Sequence, residues 1–228
     1  MTHVRSKRLS RRPGSRGIGT MEVLVGGMVT VIIMLALMGF FDAQQKAYAT
    51  LNTYAESQNV TRTAMDLIGR DVRMSSYDPT GAAMTQHPGP ACPGVREGLA
   101  EASATALRIR QDLDADAALV TAGEDVRYLQ VGDEIRRVDL STGAGALTLV
   151  NGVANGGLLF RYFDGTIPPV EIVPAGTPPT LTRAQRACVE KIQVRIEAEI
   201  DSPVANRTAL KSVVESGVAI RNRSLQKF

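Results

Sequence analysis

Glu22 is a carboxylate followed by nineteen uncharged residues, Val23 to Phe41, with no Lys or Arg in the turns after it. An ionised acid in such a run costs about 2.5–3.5 kcal/mol at a bilayer centre and less near the interface, which makes it a functional candidate by default. The plain alternative is an interfacial glutamate that reaches water. A second set is Asp112, Asp114 and Asp116 in the stretch DLDADA. An EF-hand needs oxygen ligands at positions one, three and five, Gly at six and Glu at twelve. Counted from Asp112, those last two positions are Ala117 and Gly123, so the match fails. A different calcium site stays open beside a solvated loop. Cys92 and Cys188 are the two cysteines. They are a candidate disulfide if the domain lies outside the cytoplasm, and otherwise two buried thiols. Enzyme chemistry has little material: His87 is the one histidine after Gly17, no nucleophile motif is present, and no Gly-rich phosphate loop precedes a Lys-Ser/Thr pair. No residue pattern calls for a cofactor.

The elements that position these residues follow from patterning. Ile18 to Phe41 makes a helix of roughly 36 Å, enough to cross a hydrocarbon core of about 30 Å. Ahead of it, residues 1–17 carry Arg5, Lys7, Arg8, Arg11, Arg12 and Arg16 and no acid. Without those six, the 26 basic residues of the chain fall to 20 against 23 acids, so the remainder is net −3. The basicity reads as a topology signal that keeps this end in the cytoplasm, and no specific nucleic-acid partner is expected. No small-residue cleavage site closes the apolar run at Phe40-Phe41-Asp42-Ala43, so the segment is expected to stay as an anchor. From Asp42 to Ser76 there is no Pro, and Leu51, Ala55, Met65, Ile68 and Val72 recur at helical spacing, with Gln58 interrupting the stripe. One long helix over about 18–76 is expected, stopped by Tyr77-Asp78-Pro79-Thr80-Gly81. Gly26-Gly27 and Gly39 within the span suit close helix approach or simple glycine tolerance.

After a Pro/Gly-rich loop at 78–98 the period changes to two. Strands are expected at Thr105–Gln111, Val126–Val131, Glu134–Leu140, Ala146–Val150 and Leu158–Phe163, with Gly132-Asp133 as a hairpin turn. A loop with five prolines follows at 164–182. Cys188–Ile200 alternates most cleanly and should be a half-solvated antiparallel strand, paired with a last one near Ala209–Arg221.

Basic leader, Gly17, Glu22 five residues later, a long helix and then a β domain together resemble the type IV pilin superfamily. The family junction is a glycine, a cleavage point and then usually Phe-Thr-Leu-Ile-Glu. Here it reads Gly17, then Ile18-Gly19-Thr20-Met21-Glu22, with Ile18 in place of Phe and with Gly19 and Thr20 as further departures. The segments Thr63–Pro79, Ala106–Asp114, Leu158–Asp164 and Val218–Arg223 are similar to PilW-type minor pilins and to the related J-type pseudopilins of type II secretion. The resemblance implies an α+β pilin-like fold: a cleaved leader over 1–17, a helix over 18–76 with 18–41 in the membrane, and an extracytoplasmic β-rich domain over 77–228. It implies that a prepilin peptidase cuts between Gly17 and Ile18, that the new Ile18 amine is N-methylated, and that Glu22 meets such an amine on a neighbouring subunit. The implied partners are that peptidase, other minor and major pilins, and the inner membrane with its assembly platform. The implied location is the bacterial inner membrane, with the globular domain in the periplasm, and then the pilus. The alternatives are a J-type pseudopilin and, from another class, a signal-anchored periplasmic binding or enzymatic domain.

Overall fold

The computed structural model describes residues 19–90, 92–200 and 210–221. The chain divides into two compact units, Met1–Tyr48 and Ala49–Phe228, and helix α1, Thr20–Met74, runs through both. Within the first unit, the described residues from 19 to 48 are all exposed. The segment is long and apolar enough to cross a membrane, with a mean hydropathy of 2.5 over its most apolar window.

In the second unit the helix acquires a buried face, which starts later than its apolar stripe. Leu51 stays 62% exposed, and burial begins at Thr61, continuing through Ala64, Met65, Ile68, Gly69, Asp71 and Val72. The last helical turns touch both sheets: Asp71 meets Tyr128 of one, and a Cβ placed on Gly69 would lie 3.5 Å from Val218 of the other.

The strands among the described residues form two antiparallel sheets. The first holds β1 (Leu99–Ala102), β2 (Ala106–Arg110), β3 (Asp125–Val131), β4 (Glu134–Asp139) and β5 (Ala146–Val150), neighbours in chain order. Gly132, at φ 62°, supplies the left-handed residue of the two-residue β3–β4 turn. The second sheet holds β6 (Val153–Phe163), β7 (Glu171–Ile172), β8 (Lys191–Ile200) and β9 (Leu210–Ala219), in the order β7-β6-β8-β9. Strand β6 starts five residues before the expected Leu158, because a bulge between Val153 and Leu158 carries it through the glycines, Gly156 at φ 70°. Residues from both sheets and the helix end share one core, including Ile68, Leu107, Tyr128, Phe160 and Val194.

The expected strand from Cys188 is corrected at its start. Cys188 ends a short helix, α2 (Arg183–Cys188), and the strand begins at Lys191. A capping box decides this: the Gln185 N–H donates to the Thr182 hydroxyl, and the Thr182 N–H donates to the Gln185 side chain. From Ile192 to Ala198 the alternation holds, with even-numbered residues buried and odd-numbered ones on the solvent side.

Candidate functional site

Glu22 lies in the first turn of α1. The Gly19 N–H donates to its Oε2 at 3.3 Å, and the Glu22 N–H donates to the Gly19 carbonyl at 2.9 Å. A negative charge here complements the helix dipole and takes up a main-chain donor that the helix cannot satisfy. Around it the surface is apolar. Val23, Leu24, Gly27, Met28, Val31 and Ile32 line a shallow notch. A Cβ on Gly26, Gly27 or Gly39 would meet nothing within 4 Å, so these glycines leave backbone open to a close neighbour. The expected cleavage pair, Gly17 and Ile18, lies outside the described residues.

The structure pairs Cys92 with Cys188, their Cα atoms 5.4 Å apart. The bridge ties the loop after α1 to the end of α2. Asp78 organises the start of that loop: the Gly81 and Met84 N–H groups donate to it at 2.7 and 3.0 Å, and Arg96 stands 3.4 Å away. Burial acts to raise its pKa, but these donors and the Thr80 hydroxyl outweigh it and hold the carboxyl below 3.8. His87 is buried, with Nδ1 3.7 Å from Glu97.

No protein-family model, curated protein or solved structure matches this chain.

The DLDADA stretch departs from a fully solvated loop. Asp112 is buried, as is Glu124 across the loop, while Asp114 and Asp116 are exposed. One carboxylate oxygen from each of the four lies within 4.8 Å of the others. Sequence spacing from Asp112 could not find Glu124, because the chain folds back through Thr121. Carboxylate oxygens are the donors a hard cation takes, and these four fall short of the six to eight that Ca²⁺ gathers. The carboxylates also hold the loop themselves: the Ala115 N–H donates to Asp112 at 2.8 Å, and the Leu113 and Thr121 N–H groups donate to Glu124 at 2.9 and 2.8 Å.

Asp71 is a buried acid with no signal in the sequence beyond its position beside Val72. The Tyr128 hydroxyl donates to it at 2.7 Å, and Arg137 approaches the same oxygen at 3.3 Å. Burial, then the adjacent Asp71 charge, pushes the Tyr128 phenol well above its ordinary range. Burial works against the charge on Arg137, yet the Tyr128 and Asp71 oxygens outweigh it and raise that guanidinium. This cluster fixes the end of α1 to the first sheet. It positions the helix and offers no open face for a substrate.

Proposed function

We propose that this chain is a minor pilin of the PilW type, a subunit that acts by assembly and takes part in a priming or tip complex with other pilins. The observation that carries the reading is the form of α1: an acid in its first turn, an apolar surface exposed all round, and a far end anchored in an antiparallel β domain. A helix apolar on every side needs lipid or protein around it. In the proposed cycle it has lipid first and neighbouring helices in a filament afterwards. Prepilin peptidase hydrolyses the Gly17–Ile18 peptide bond, consuming one water and leaving a carboxylate on Gly17 and an ammonium on Ile18, which is then N-methylated. Glu22 of an incoming subunit pairs with that ammonium on a subunit already in place. Unpaired arrangements leave a charge in an apolar environment, so the pair selects register as well as adding attraction.

The test is co-expression with a prepilin peptidase and mass spectrometry of the mature N-terminus. The expected product starts at methylated Ile18; an intact Met1, or a start beyond Ala43, overturns the reading. Glu22→Ala is expected to leave the protein in the membrane fraction and to remove it from sheared filaments. A J-type role would place the protein in a secretion pseudopilus, so the filament that retains the native chain separates the two pilin readings.

A further inference from the structure

Strand β9 is a long, regular sheet edge with no strand on its outer side among the described residues. It lies last in its sheet, and its register with β8 runs without a break from Lys191↔Ala219 to Ile200↔Leu210. The Ile220 N–H donates to the Glu190 carbonyl at 2.9 Å. That parity turns the main-chain groups of even-numbered residues toward β8 and those of Lys211, Val213, Glu215, Gly217 and Ala219 outward. The same five residues are exposed, Val213 at 50%. The other edges differ. β1 is closed by the Leu181 N–H and the Arg186 guanidinium, which donate to the carbonyls of Ala102 and Leu99. β7 has 2 residues and β5 has 5. Folded proteins ordinarily shield an edge as long as β9 with a proline, a bulge, a covering segment or charged side chains; among the described residues β9 has only the charges, Lys211 and Glu215.

The charges on this edge are self-complementary. In the monomer, Glu199 lies across from Lys211, and Arg195 across from Glu215. We infer that β9 pairs with the same strand of a second copy, antiparallel and centred on Val213. Lys211 then faces the partner's Glu215, Glu215 faces the partner's Lys211, and the two valines meet at the centre. Across the joined sheet, Glu199, Lys211, the partner's Glu215 and the partner's Arg195 form one row of alternating sign. Lys211, Val213 and Glu215 each exchange both main-chain bonds with their opposite numbers. Centring the pair on Lys211 or Glu215 would put like charges face to face, and the register centred on Val213 is the one that sets Lys211 opposite Glu215.

The full-length protein in detergent tests this, with Cys92 and Cys188 already paired. Val213→Cys is expected to give a disulfide-linked dimer on mild oxidation, and Ala219→Cys, on the same edge but far from its own copy in this register, is expected to stay monomeric. Adding Lys211→Glu or Glu215→Lys to Val213→Cys should lower the dimer about fivefold in each case. Mixing those two charge variants should restore it as a heterodimer, because the Lys211→Glu position then faces the Glu215→Lys position at one end and the native Glu215 faces the native Lys211 at the other. A merely structural effect of either substitution would persist in the mixture. Equal cross-linking through positions 213 and 219, a monomer throughout, no rescue on mixing, or capture of a different chain through position 213 would each overturn the inference.

Discussion

A carboxylate as buried as Asp71 is held in place by its donors. Asp71→Ala would leave the Tyr128 hydroxyl and the Arg137 guanidinium facing each other without the charge that organises them. The expected loss is about 3 kcal/mol, read as a fall of about 6–12 °C in the melting temperature, with a much smaller fall for Tyr128→Phe. A fall within experimental error for Asp71→Ala would mean that the cluster does not fix the helix end. Two further buried acids make a separate, pH-dependent contribution. Asp78 and Asp139 are both held below 3.8, in each case because hydrogen bonds outweigh burial. A carboxyl whose pKa is depressed in the folded state stabilises fully above its unfolded value and loses that stabilisation as pH falls through the folded one. Urea midpoints should therefore stay level from pH 7 to about 5 and fall steeply below about 4; Asp78→Asn should flatten that acid limb while lowering the plateau. Glu22 was legible because an acid in an apolar run conflicts with its surroundings. Asp71 was not, because its partners are 57 and 66 residues away in sequence.

At the scale of elements, the junction between α1 and β1 depends on one glycine. A Cβ on Gly98 would stand 2.0 Å from the Ser76 main-chain nitrogen, and backbone cannot swing aside as a flexible side chain can. The Gly98 N–H donates to the Ser76 hydroxyl, and the Ser76 N–H donates to the Arg110 carbonyl, so the two segments lock at close range. Gly98→Ala should cost about 2 kcal/mol or more, measured by urea unfolding, whereas Gly26→Ala in open space should leave the second unit's stability unchanged. The long helix, the β3–β4 hairpin and the β8–β9 pair were legible because each has a strict period and a defined stop. β1 was not: four residues with burial at both ends carry no alternation to read. The helix stripe also over-reached, since Leu51 and Ala55 keep the spacing but are exposed. For the acidic loop the sequence supplied the aspartates, and only the fold brought Glu124 to them.

Taken whole, the molecule sorts its apolar surface unevenly. Among the described residues, 15 large exposed hydrophobic side chains crowd into the stretch from Met21 to Phe41, while 11 are scattered over the whole of the second unit. A patch on that scale demands lipid or protein around it, while the β domain has a closed core of its own. That division of surfaces fits a single-pass membrane anchor. The Cys92–Cys188 bridge adds a mechanical consequence. Along the covalent chain, the shortest path from α1 to the last two strands runs from residue 92 to residue 188 through the sulfur atoms. The 96-residue interval between them, which holds the first sheet and β6, lies off that path. Stretched out, that interval would span roughly 320–350 Å. With the bridge intact, the chain under traction can lengthen only through the segments outside the covalent ring.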